Sequence, residues 1–200
     1  MSAAKIAVRE PGGGTVLFGL IPRHRHERAG FMLYGAAVRA ARDSALYTTF
    51  GVPDTLDGRF DLIGLHAFLL IRRLRRLPPP GPALAQAVFD AMFSDMDINL
   101  RELGVGDLAV GKRVRVMWEA FHGRCAAYEA AMQEGDPATL AAALARNIWR
   151  GEAAGGAPDL ARLAFAQDRH LAGQPLSRLA TGEASFLPMT SAGPITELAP

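Results

Sequence analysis

Residues 107–133 read DLAVGKRVRVMWEAFHGRCAAYEAAMQ, and within them Gly111, Val114, Trp118, Phe121, Cys125, Tyr128 and Met132 recur at alternating spacings of three and four. That rhythm keeps side chains on one side of a helix that turns once every ~3.6 residues. The stretch therefore predicts a long helix with a narrow seam buried against its neighbours, Gly111 permitting close approach. Working outward, Phe31, Tyr34, Val38, Ala41 and Ala45 place a helix over 28–50, ended by GVPD. Leu62, Leu65, His66, Leu69 and Leu74 share one side of a second helix over 60–77, which PPPGP terminates by removing amide donors. Phe89, Met92, Met96, Leu100 and Leu103 mark a third over 83–103, and two shorter helices fit 137–150 and 158–172. No run alternates with period two for long enough to make a sheet. The expected fold class is all-α, a single-domain bundle of about five to seven helices over 28–172. A flexible arm (1–27) precedes it and a loop-like tail (173–200) follows.

Bulk properties narrow the function classes. Half of the 200 residues are hydrophobic, enough for one sizeable core. The formal charge of +2 is near balance, and the pI of 9.0 comes from arginine outnumbering lysine, so DNA binding is not expected. A single cysteine, Cys125, excludes an internal disulfide and a cysteine-based zinc site, and points to a reducing compartment. TVLFGLI is too short and too interrupted for a signal peptide, and LIGLHAFLLI is about half the length of a membrane span. The expected location is cytoplasmic, with any membrane contact peripheral.

The segment joining the third and fourth helices, FSDMDINLRELGVGDLAVGKRVR (93–115), invites two chemical readings. As a calcium loop, Asp95, Asp97 and Asn99 occupy the first, third and fifth positions, but Leu100 stands where glycine must turn and Gly106 where a bidentate glutamate must ligate. As a phosphate loop, GDLAVGKR supplies the glycines and Lys112, but Arg113 replaces the magnesium-binding hydroxyl and a helix precedes it instead of a strand. Neither chemistry survives. The glycines instead fit a corner: Gly104 as the left-handed residue after Leu103, Val105 folding back toward Leu100, and Asp107 capping the next helix. Asp97 and Arg101, one turn apart with the acid first, read as an ion pair. The corner does not account for the charges around it, Asp95, Asp97, Arg101, Glu102, Lys112, Arg113 and Arg115, which by spacing alone read as a solvated face; it is a family resemblance of the same stretch that makes them, with Asp107, a candidate partner-binding face.

Other candidates are weaker. Arg72, Arg73, Arg75 and Arg76 form a basic helix end suited either to the helix dipole or to an anionic membrane or ribosomal surface. His66, on an apolar face, reads as a hydrogen-bonded core histidine, and Cys125 as a small buried hydrophobe. His24 and His26 lack a third zinc ligand. Asp57 and Asp61 form one DxxxD, the magnesium-diphosphate spacing of all-α isoprenoid synthases, without a second copy. An all-α enzyme for a phosphorylated or isoprenoid ligand is the alternative function, and RNA contact through the arginines a third.

The combination MFSDMDINLRELGVGDLAVGKRVRVMWEAFHGRCAAYEAA (92–131), with DGRFDLIGLHAFLLIRRL (57–74) and LAAALARNIW (140–149), resembles the ubiquinol–cytochrome c chaperone family, assembly factors of the cytochrome bc1 complex. The resemblance covers roughly 30–172. It implies an all-helical, non-enzymatic chaperone with no cofactor of its own, which holds newly made cytochrome b through insertion and haem acquisition. Mitochondrial members work at the inner membrane beside the ribosome with a small partner protein. This chain looks like a short bacterial relative without their long N-terminal extension.

Overall fold

The computed structural model describes residues 26–150 and 154–188, and within them the chain is all-helical, a single domain without a strand. In order come α1 (Glu27–Ala41), α2 (Ala45–Thr48), α3 (Leu56–Arg75), α4 (Gly81–Glu102), α5 (Asp107–Glu134), α6 (Pro137–Leu144), α7 (Ala157–Ala172) and α8 (Leu176–Ala180). The arm expected over 1–27 falls almost wholly outside the described residues.

α3 is the central rod. Thr55 caps its start, the hydroxyl accepting the Gly58 amide at 3.1 Å. Leu62, Leu65, His66, Leu69 and Leu74 are all buried, as their spacing predicts, and so are Ala67, Phe68, Leu70 and Ile71. A helix apolar on nearly every side belongs inside, and α1, α4 and α7 pack around it. α1 also crosses α4 closely: a Cβ on Gly30 would sit 2.6 Å from the Ala87 Cβ, so this crossing requires glycine.

Element boundaries differ from expectation where polar side chains intervene. The helix expected over 28–50 stops at Ala41, because the Asp43 carboxylate accepts the Ala45 amide at 3.0 Å and starts the short α2. The helix expected over 137–150 is α6 closed by a π turn, Ala145–Trp149, whose indole donates to the Gly51 carbonyl at 2.9 Å. The tail expected to be loop-like carries α8 and then an extended strap over 183–188.

The seam of α5 requires the main correction. Phe121, Tyr128 and Met132 are buried and Cys125 is partly buried, but Val114 is only half-covered, Trp118 is 44% exposed and a Cβ at Gly111 would meet open space, with no neighbouring helix against it. The buried line instead starts at Val110 and passes through Met117 before it reaches Phe121. Leu103, assigned to the buried stripe of α4, is also exposed, because it is the C-cap at the very tip of that helix.

Candidate functional site

α4 and α5 form a hairpin whose corner follows from local chemistry. Gly104 has φ +77°, the Val105 amide donates to the Leu100 carbonyl at 3.1 Å and the Gly104 amide to the Arg101 carbonyl at 2.9 Å. This is a Schellman closure, and Gly104 is there because the turn needs a left-handed residue. The next helix is capped by Gly106, one residue earlier than expected, and Asp107 is its first helical residue. The Asp107 carboxylate is paired with Arg101, which also bonds Asp97 through Nε at 2.7 Å. One guanidinium thus clasps the last turn of α4 to the first turn of α5.

The structure divides the remaining candidate residues. Asp95 is half-buried and accepts the Tyr34 hydroxyl at 2.8 Å, tying α4 to α1; burial followed by this bond pushes the Tyr34 hydroxyl pKa far up. Arg115 pairs with Glu119 along α5 at 3.0 Å. Glu102, Lys112 and Arg113 are exposed and make no ion pair among the described residues. Interleaved with these charges are exposed apolar side chains that the sequence reading did not assign to a surface: Ile98, Leu103, Val116 and Trp118. Trp118 rests on His122 with ring centroids 4.1 Å apart, and His122 reaches Phe89 at 5.7 Å. A run of aromatic rings therefore leads from buried Phe121 to the surface.

The four arginines at the end of α3 do not act as one patch. Arg72 is buried, bonded to Glu129 at 2.8 Å and to both oxygens of Asp168 at 2.8 Å. Arg73 donates to the Gln174 carbonyl at 3.0 Å, and Arg76 reaches Glu129 at 3.3 Å. Arg75 and Arg76 alone are exposed.

The DxxxD pair does not form an open site. Asp61 is enclosed between Arg124 and Arg150, with Arg150 at 2.8 Å, while Asp57 lies at the surface 3.6 Å from the same Arg150. Burial pushes the Asp61 carboxyl up to about 6 against the pull of both guanidiniums. The cavity beside it, lined by Gly64, Phe121, Cys125 and Tyr128, holds about 10 Å³, room for one water and not for a diphosphate. Burial likewise pushes the Cys125 thiol up to about 12 and keeps it protonated and unreactive. His26 sits at the start of α1; His24 lies outside the described residues. Among the described residues no three side chains of His, Cys, Asp or Glu converge as metal ligands, and no helix is long and apolar enough to cross a membrane.

His66 is the buried histidine its position predicts. Its Nδ1 meets the Leu62 carbonyl at 2.8 Å, and burial lowers its pKa to about 4 from an ordinary value near 6.5. The unfolded chain gains the proton first as pH falls, so this residue makes folding less favourable between pH 6.5 and 4. Asp61 has the opposite sign, since below pH 6 its folded carboxyl keeps a proton that the unfolded one releases. Comparison of wild type with His66→Gln cancels the shared Asp61 contribution. The difference in their unfolding free energies should shift by about 2–3 kcal/mol between pH 7 and 4.5, wild type losing more, as read by urea unfolding.

Comparison with known proteins agrees with this architecture. The family model for the ubiquinol-cytochrome C chaperone matches residues 48–186. Ubiquinol-cytochrome-c reductase complex assembly factor 1 of Xenopus laevis is 23% identical over 120 residues, which are 60% of this chain, and the chain spans 60% of the length of that relative. The crystal structure of the Cbp3 homolog from Brucella abortus superposes with a TM-score of 0.73 at 38% identity, covering 82% of this chain and 91% of that one. With its matched region spanning α3 to α8 and a helical bundle of the same shape, the chain belongs to the ubiquinol–cytochrome c chaperone family.

Proposed function

We propose that this protein is a non-enzymatic assembly chaperone of the ubiquinol–cytochrome c reductase complex, that its client is newly made cytochrome b, and that the client docks on the α4–α5 hairpin. The observation that carries the docking face is the composition of its surface. Of the seven large apolar side chains exposed among the described residues, four, Ile98, Leu103, Val116 and Trp118, lie within this hairpin. Lys112 and Arg113 lie on the same hairpin without ion-pair partners among the described residues. Exposed apolar groups rimmed by unpaired charge suit a partner that presents both, as an unassembled membrane subunit does. Charge in such a face sets orientation and encounter rate more than affinity. Arg75 and Arg76, the exposed part of the basic helix end, would meet an anionic membrane or ribosomal surface at the cytoplasmic face of the inner membrane.

The test uses residues that do not hold the fold. Asp95 and Asp97 are tied to Tyr34 and Arg101, so reversing them would confuse folding with binding. Lys112→Glu with Arg113→Glu, and separately Ile98→Ser with Leu103→Ser, should leave stability within about 1 kcal/mol, as exposed positions do. In cells deleted for the native gene, each pair should lower the amount of haem-loaded, assembled complex several-fold by difference spectroscopy. Full restoration of assembly by both would move the client to another face.

A further inference from the structure

The strap over 183–188 is held in an unusual way for a terminal segment. Gln167, on α7, is fully buried, and Gln174, just past its end, is 6% exposed. Each grips both backbone groups of one strap residue. The Leu187 amide donates to Gln167 Oε1 at 2.7 Å and Gln167 Nε2 donates to the Leu187 carbonyl at 2.9 Å. The Ser185 amide donates to Gln174 Oε1 at 3.0 Å and Gln174 Nε2 donates to the Ser185 carbonyl at 2.7 Å. The two clamped residues are two apart, so an extended chain turns the same edge to both glutamines. Phe186, between them, meets buried His66 edge-on, ring centroids 5.4 Å apart.

The seat and its occupant are separable. Gln167 and His66 belong to α7 and α3, helices packed on one another, and His66 is oriented by its own helix through Leu62. The strap, in contrast, is only half-buried from Ala184 to Leu187. All four glutamine bonds go to main chain and so are indifferent to strap sequence; selectivity rests on the phenyl ring at His66 and on His170, 3.1 Å from the Ser185 hydroxyl. Main-chain bonds for affinity with one side-chain pocket for choice is how extended peptides are generally recognised. The strap also lines an open groove of about 300 Å³ bounded by Ala36, Arg39 and Ala40 of α1 and by Asp43 just past it, which leaves a path for it to peel away.

We propose that Gln167, Gln174 and His66 form a binding site for an extended peptide segment carrying an aromatic side chain, and that residues 184–188 occupy it as an internal competitor. The site is distinct from the α4–α5 hairpin, so failure of the hairpin variants leaves this inference intact, and the reverse holds too.

The probe is a fluorescein-labelled peptide of the strap's own sequence, EASFLP, added to the full chain. Phe186→Ala and Ser185→Pro each weaken the strap's hold while sparing the seat, the second by deleting one amide donor. In either variant, hydrogen exchange at the Leu187 amide should accelerate at least about tenfold while amides of α3 and α7 keep wild-type protection. The peptide should bind these variants with a Kd on the order of 1–100 µM and bind wild type at least tenfold more weakly. Adding Gln167→Leu should abolish binding. Peptide that binds neither variant, or binds regardless of Gln167, overturns the proposal. Loss of α3 and α7 protection together with the strap also overturns it, because a detachable occupant must leave a folded site behind.

Discussion

Arg72→Ala should destabilise the protein by about 3–5 kcal/mol and lower its melting temperature by roughly 10 °C. The guanidinium joins three helices: from α3 it reaches Glu129 on α5 and both oxygens of Asp168 on α7, all at 2.8 Å. Removing it leaves the Asp168 carboxylate, 22% exposed, without a counter-charge among the described residues, and leaves Glu129, 32% exposed, with only the exposed Arg76 at 3.3 Å. That desolvated, unpaired charge, more than the lost attraction, sets the size of the effect. Because the side chain is only 4% exposed, salt should screen the interaction weakly, so the loss should persist in molar salt. Arg75→Ala, three residues on and exposed, should shift the melting temperature by no more than a degree or two. A near-neutral Arg72→Ala would mean that the guanidinium lies at the surface with its neighbours, where the basic helix end was first placed.

The contrast between Arg72 and its neighbours shows where sequence is legible. The α4–α5 corner, the Asp97–Arg101 pair and the cap on α3 involve residues within six of one another, and local hydrogen-bond chemistry fixes them before any packing occurs. Whether an arginine in RRLRR is exposed depends instead on Glu129 and Asp168, 57 and 96 residues away, which no spacing rule brings together. The glutamine clamp has the same character. Gln167 lies on α7 and Gln174 just past its end, and nothing local says that they face a backbone instead of solvent.

On α5 the difficulty is one of phase. Two lines share Val114 and Phe121: Gly111–Val114–Trp118–Phe121, with spacings three, four, three, and Val110–Val114–Met117–Phe121, with four, three, four. Both keep to one helix side, and the structure uses the second, burying Val110 completely. The deciding signal was in the sequence: Val110 brings apolar surface that Gly111 lacks. Trp118 outweighs Met117 by size and so pulled the reading to the wrong phase. A tryptophan left 44% exposed is a cost to solubility that makes sense at a binding surface.

This assignment yields a sharp contrast three residues apart. Phe121→Ala should destabilise by about 3–5 kcal/mol, whereas Trp118→Ala should cost less than about 1 kcal/mol despite removing the larger ring. Phe121 is 4% exposed and packs among Phe89 at 6.0 Å, Phe93 at 6.1 Å and the open side of Gly64, so truncation leaves a void that α3 and α4 cannot readily close. Trp118 touches His122 and then water, and its removal opens no enclosed volume. If the hairpin is the client face, the functional order reverses among folded protein: Trp118→Ala lowers assembled bc1 complex at unchanged melting temperature, and Phe121→Ala lowers it only in proportion to the chain lost to unfolding. A large stability loss at Trp118 would restore it to the core seam and remove the strongest apolar anchor from the proposed docking face.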